Sequence, residues 1–329
     1  MPAAVAEGIL VGGEGAQYTS SDSGLLAYVA GGSHYENRTL VWVDRNGKPD
    51  SVNAPARAYE APRLSPDGSQ VAVMIAGATQ DSWVITLARG DATRLRGEGS
   101  NQFPLWTPDG KRVVYRATRA GTRNLFWQMA DGSGSEEGLT TGEAKSPLPG
   151  SWSPNGQVLL FTEPTANGRD IVGLRFPDRT IEPFLGTRFA ESAPAFSPDG
   201  RWVAYVSDES GGQQIYVQPY PGPGGKWLIS TDGGTEPVGH PKGRELFYRN
   251  GNKLMAVEIA TRPVFAAGKP KELFAGDYML IPASSRNYDV SPDGQRFLMI
   301  QPSARLAAPR EIVVVLNWVD ELKRLVPTR

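Results

Sequence analysis

The chain of 329 residues has no cysteine and only two histidines, His34 and His240. The first absence excludes disulfides, thiolate-held zinc, iron–sulfur clusters and cysteine nucleophiles. The second excludes a cage of several imidazoles and leaves a hydrolytic relay at most two candidate bases. No G-x-S-x-G elbow supplies a serine nucleophile. A charge bias is missing as well: 34 basic against 35 acidic residues leave a net charge of −1, with no global footprint for nucleic acid. Long apolar runs are also absent. The most apolar one, residues 312–319 (IVVVLNWV), falls well short of the roughly 20 residues a spanning helix needs. The N-terminal MPAAVAEGIL has no basic n-region and does not read as a signal peptide. The expectation is a soluble monomer without a membrane span that does not bind nucleic acid.

Glycine and proline, by contrast, are abundant: 38 and 27, together about a fifth of the chain. Forty per cent of residues are hydrophobic, so the excess marks many tight turns in a folded, all-β chain rather than disorder. The turns recur. An apolar approach, a tetrad and an alternating strand repeat at Ser65-Pro66-Asp67-Gly68, Thr107-Pro108-Asp109-Gly110, Ser153-Pro154-Asn155-Gly156, Ser197-Pro198-Asp199-Gly200 and Ser291-Pro292-Asp293-Gly294. Ser21-Asp22-Ser23-Gly24 and His240-Pro241-Lys242-Gly243 are degenerate copies. Successive starts lie 44, 42, 46, 44, 43 and 51 residues apart, the period of a four-stranded propeller blade.

Seven starts predict seven four-stranded antiparallel blades in a single domain over 1–329, six being the alternative, with a short helical tail at about 319–326. EGILVG (7–12) resembles the outer-strand sequences KELFAG (271–276) and EPFLG (182–186), so the N-terminal strand is expected to complete the last blade. The tetrads themselves read as turns. Pro presets φ, Asp or Asn bonds nearby backbone, and Gly supplies a positive φ.

These repeats resemble the TolB-type, WD-like propellers of bacteria. Further stretches are similar to the C-terminal sensor propellers of bacterial eukaryotic-type Ser/Thr protein kinases: RTLVWVDRNG (38–47), SPDGRWVAYVSDESG (197–211), YDVSPDGQRFLMI (288–300) and VVLNWVDELKRLVPT (314–328). The resemblance implies an extracytoplasmic sensing or interaction module. No Gly-rich loop with its lysine, no HRD and no DFG is present, so the chain is not itself a kinase. Gly239 also departs from the pattern, standing where sister units carry Leu64, Trp106, Trp152 or Phe196.

Polar residues four to six positions before the tetrads, Glu60, Gln102, Glu191, Glu236 and Asn287, are expected at the channel mouth opposite the tetrads, with Arg123 in a nearby loop. They are the candidate contacts for a protein, peptide or small-molecule ligand, in a non-catalytic binding module. The alternative is a hydrolase of lactones, aryl esters or phosphotriesters, in which Glu60, Glu191, Glu236 and Asn287 would hold Ca²⁺ and His34 would be the base. That arrangement resembles calcium-dependent lactonase and phosphotriesterase propellers in fold and ligand type. No cofactor is otherwise expected. The tryptophans at 42, 83, 106, 127, 152, 202 and 227 fall at repeat-equivalent strand positions and read as inter-blade core.

Overall fold

The computed structural model describes residues 11–12, 15–16, 18–21, 24–29, 37–77, 79–95, 97, 99–142, 146–166, 168–280, 285–302 and 312–325. It falls into two units, residues 38–301 and the paired ends 1–37 with 302–329. Almost every element in either unit is a strand, as the turn-rich, alternating sequence predicts.

The larger unit contains six antiparallel sheets, numbered I–VI here by chain order of their innermost strands. Sheet I runs Tyr59–Leu64, Gln70–Ile75, Asp81–Thr86 and Ala92–Arg94 from the inside outward. Sheets II, III and IV repeat the plan from Asn101–Trp106, Leu148–Trp152 and Glu191–Phe196. Sheet V begins at Thr235–Gly239 and takes Lys271–Ala275 as its outer strand. Sheet VI joins the two ends of the unit: Tyr288–Val290 and Arg296–Pro302 are followed by Arg38–Asp44 and Pro49–Ser51.

Six apolar clusters, each shared by two neighbouring sheets, show that these sheets close into a ring. Val84 packs with Val113 between I and II, Val114 with Leu159 between II and III, and Leu160 with Val203 between III and IV. Val206 with Val257, Phe247 with Phe297, and Leu298 with Val71 complete the circuit through V and VI back to I. Each sheet therefore buries both faces, which is why its middle strands are apolar on alternate and intervening positions alike.

The tetrads explain how closely the sheets approach at one end. Inside each regular tetrad the Ser or Thr hydroxyl donates to the Asp or Asn oxygen two residues on, at 2.6–2.7 Å. The glycine then faces the proline ring of the preceding sheet's tetrad: Gly110 on Pro66, Gly156 on Pro108, Gly200 on Pro154, Gly243 on Pro198 and Gly68 on Pro292. Gly294 meets the His240 ring instead. The turns are thus also contacts between sheets, a role the sequence reading did not assign them.

The expected closure differs from the observed one. Residues 7–10 lie outside the described residues, and Val11–Gly12 pairs with Gly15–Ala16. The strands that complete the sheet of the last tetrad are Arg38–Asp44 and Pro49–Ser51, because the former supplies buried Leu40, Val41 and Val43 to both neighbouring cores. Two starts, 21 and 291, thereby contribute half a sheet each, and seven starts yield six sheets in the larger unit. Their remaining strands, Tyr18–Ser20, Leu26–Val29 and Ile312–Val315, make a three-stranded sheet in the terminal unit, beside the helix Trp318–Leu325.

Gly68 has φ +72°, and a Cβ there would lie 2.8 Å from Pro292. At Gly110, with φ +66°, the nearest atom of Pro66 would be 3.5 Å away. Both Gly→Ala changes strain the backbone, but only Gly68→Ala also forces sheets VI and I apart. We expect Gly110→Ala to cost about 1 kcal/mol and Gly68→Ala clearly more, read as urea midpoints. Equal losses would show that the glycine–proline contact contributes nothing beyond φ.

Gly239 can be tested in the opposite direction. Its φ is unstrained, and an added Cβ would meet Phe196 and Pro198 only at 3.6–3.9 Å. It borders an apolar void of about 40 Å³ lined by Phe196, Trp202 and Phe265. Gly239→Leu should fill this gap and raise Tm by a few degrees. A lowered Tm would mean that the void is too narrow for the side chain its sister positions carry.

Candidate functional site

The innermost strands do not run straight. Ala61, Phe103, Ala193 and Glu236 have φ between 48° and 57°, each just before a proline, and the strand register shifts at each of them. These are bulges, which re-aim the residues around them. The position two before the tetrad reaches the ring centre in five of the six sheets, where Ser151, Ala195, Val238 and Asp289 line one cavity and Arg63 lines its neck.

The cavity opens at the tetrad end, among Pro66, Pro154, Pro198 and Pro241, and measures about 340 Å³. Most of its lining residues are apolar, and among the described residues the charged ones in the lining are Arg286 and Asp289. Below it the channel narrows to a void of about 10 Å³ bounded by Arg63, Arg286, Ser285 and the bulged backbone of sheets III, IV and V. A water-sized group fits there and little else.

Around the neck lies a cluster of buried charge. Arg63 donates to the carbonyls of Pro62 and Arg286 at 2.7 and 2.8 Å and to Ser285 Oγ at 3.2 Å. Burial, reinforced by the Arg286 charge, brings its pKa down to about 9. Glu236 Oε2 accepts the Asn287 N–H at 2.8 Å, and Asn287 Oδ1 in turn accepts the bulge N–H of Ala61 at 2.8 Å. A polar thread thus ties sheets V, VI and I. Burial raises the Glu236 carboxyl to about 7, despite the Asn287 bond and the positive charges of Arg249, Arg63 and Arg286. Asp289 accepts the Leu64 and Val290 N–H groups at 2.8 and 3.0 Å, and Arg286 stands 3.5 Å from it.

Of the residues chosen from sequence, the structure brings Glu236 and Asn287 into contact and places the others with separate partners. Glu60 accepts from Arg38 at 2.9 Å. Gln102 accepts from Arg116, whose Nη1 shares Ser146 Oγ with Arg123. Glu191 is buried against Thr187, and that burial raises its carboxyl. His34 lies outside the described residues. Among the described residues no three His, Asp or Glu side chains are grouped as metal ligands. The Ca²⁺ ring expected from sequence is not gathered there, because its acids have nearer partners on their own or adjoining strands. Arg63, Arg286 and Asp289 were missed. The available signal was a charged residue two places before a tetrad, as at Arg63 and Asp289, where other units carry Leu105, Ser151, Ala195 or Val238.

The TolB beta propeller domain profile matches residues 17–192, just over half of the chain. The chain belongs to the TolB β-propeller family. An uncharacterized protein of Agrobacterium fabrum is 30% identical over 159 residues, covering 43% of this chain and 52% of that protein. The Tol-Pal system protein TolB of Gluconobacter oxydans is 27% identical over 239 residues, covering 57% and 52%. The chain thus spans about half the length of these curated relatives. Among solved structures, a TolB candidate from Agrobacterium tumefaciens superposes with a TM-score of 0.66 at 17% identity, over 82% of this chain and 99% of that one. That likeness is one of fold. Among the described residues no helix of this family member is long and apolar enough to cross a membrane.

The raised Glu236 carboxyl makes stability depend on pH. Its folded pKa, about 7, exceeds its usual 4.5, so the folded state binds more protons in between. The contribution of this group to stability is complete below about pH 4.5 and is lost as pH rises through 7. The Glu236→Gln variant keeps an acceptor for Asn287 and should flatten this part of the stability profile between pH 5 and 8. Parallel profiles for the two proteins would assign the slope to other groups.

Proposed function

We propose that the protein is a non-catalytic binding propeller that receives a peptide, protein segment or small molecule in its central channel from the tetrad end. The observation that carries this reading is the cavity of about 340 Å³, lined mostly by apolar residues, with a charged pair at its base and a neck too narrow to pass a ligand. Concave, mostly apolar sites with a few convergent polar groups suit a bound ligand. The family assignment agrees with a binding role and prescribes no chemistry.

The mouth expected from the sequence lay at the opposite end, near Glu60 and Gln102, which are paired with arginines. The tetrad end is therefore the better docking face. A sensing role, as in kinase-linked propellers, is the finer form of the proposal and rests only on the sequence resemblance described above. Metal-dependent hydrolysis gains no support from the described carboxylates, which lack a shared centre.

A thermal-shift screen of peptides and small molecules, followed by backbone amide shifts of the hits, tests this reading. Ligands should perturb Ser151, Ala195, Val238 and Val290 and leave the outer strands 92–94 and 180–185 unchanged. Hits that perturb only outer strands would overturn it.

A further inference from the structure

The charges at the channel base do not balance. Three guanidinium groups, Arg63, Arg249 and Arg286, share the site with two carboxyl groups, and only Asp289 lies on the cavity wall. Both Asp289 oxygens already accept backbone N–H groups, so its contact with Arg286 at 3.5 Å is a loose one. Glu236 is engaged by Asn287 on Oε2, and its buried Oε1 has no partner among the described residues. On the cationic side, buried donors are left over among the described residues: Arg286 Nε at the cavity floor has no partner, and neither do Nε and Nη1 of Arg249, which lines neither the cavity nor its neck. Buried guanidinium N–H groups left unpaired are costly, and beside Arg286 an anion entering the cavity is the group that satisfies charge and donors together.

We infer that Arg286 recognises the carboxylate of a ligand whose apolar stem fills the cavity, with Arg63 supporting it from the neck. The inference rests on the channel-binding reading above and specifies its ligand. Arg286 borders both the cavity and the neck, so an incoming group meets it at the floor. Trp152, Phe196, Val238, Val290 and the rim prolines suit a hydrocarbon or aromatic stem above it. Asp289, beside Arg286, disfavours a dianion and selects a single negative charge. Such a carboxylate could belong to a peptide C-terminus or to a free monocarboxylic acid.

The test compares acetate, hexanoate and phenylacetate with their primary amides, read by amide shifts of Val238 and Val290 and by thermal shift. A short peptide ending in leucine is compared with its C-terminally amidated form. Wild-type protein should bind each acid at least about tenfold more tightly than its amide, and phenylacetate more tightly than acetate. A tighter response to the peptide acid than to phenylacetate points to a chain terminus, and the reverse to a free acid. Arg286→Gln should abolish the preference for acid over amide, and Arg286→Lys should keep part of it. The wild-type comparison decides the matter even if a variant fails to fold. Acids and amides that perturb the channel equally would overturn the carboxylate inference and leave the channel reading standing. If no probe perturbs the channel at millimolar concentration, both fall.

Discussion

The ring depends on how closely adjacent tetrads can approach. Each glycine offers a flat face to a proline ring of the preceding sheet, and the six contacts run around the larger unit without a gap, His240 serving in the one irregular place. A Cβ would press on the facing ring at Gly68, Gly200 and Gly294, and at Gly110, Gly156 and Gly243 it would only reach ordinary contact. The same approach brings the prolines together as the rim of the cavity, so the contact that closes the ring also shapes its opening.

The second constraint is the bulge. A regular strand would alternate its side chains, and every innermost strand would send apolar residues to both neighbouring cores. The left-handed residue before the proline interrupts this in sheets I, II, IV and V, and Arg63, Ala195 and Val238 follow such a residue, whereas Ser151 and Asp289 reach the channel from strands without one. Where the residue at the channel is Ser, Ala or Val the channel stays open. Where it is Arg63 or Asp289 the channel gains charge, and both charges come from adjoining sheets, I and VI. The asymmetry of the ring, rather than its repetition, creates the site.

Much of this was legible in the residues. The tetrads marked their turns, and the spacing near 44 gave four strands per sheet. What escaped was the pairing between distant segments. The start at 21 and the start at 291 look like two complete repeats, yet Arg38–Asp44 supplies buried residues to sheet VI, where a local reading keeps it with its own start. The candidate acids are dispersed for a related reason. A window of four to six positions before the tetrad spans the bulge and so mixes residues of different faces. Glu60 illustrates it: its partner Arg38 comes from the closing strand, 22 residues earlier in sequence, in a different sheet.

His240 shows how a departure from the repeat is tolerated. It replaces the tetrad serine, whose hydroxyl elsewhere donates to the Asp, and its neighbour Lys242 replaces that Asp. Its Nδ1 instead accepts the Lys242 N–H at 2.9 Å, the kind of bond the Asp oxygen accepts in regular tetrads, as from Ser69 at 3.0 Å. The ring then fills the space against Gly294 that a proline fills elsewhere. Burial lowers its pKa, which keeps Nδ1 available as an acceptor. One imidazole thus does the work of a carboxylate and a proline, and sheet V holds its place although its inner strand lacks the large residue replaced by Gly239. Loss at one position of the repeat is offset within the same turn, which is why the ring can vary its channel residues without opening.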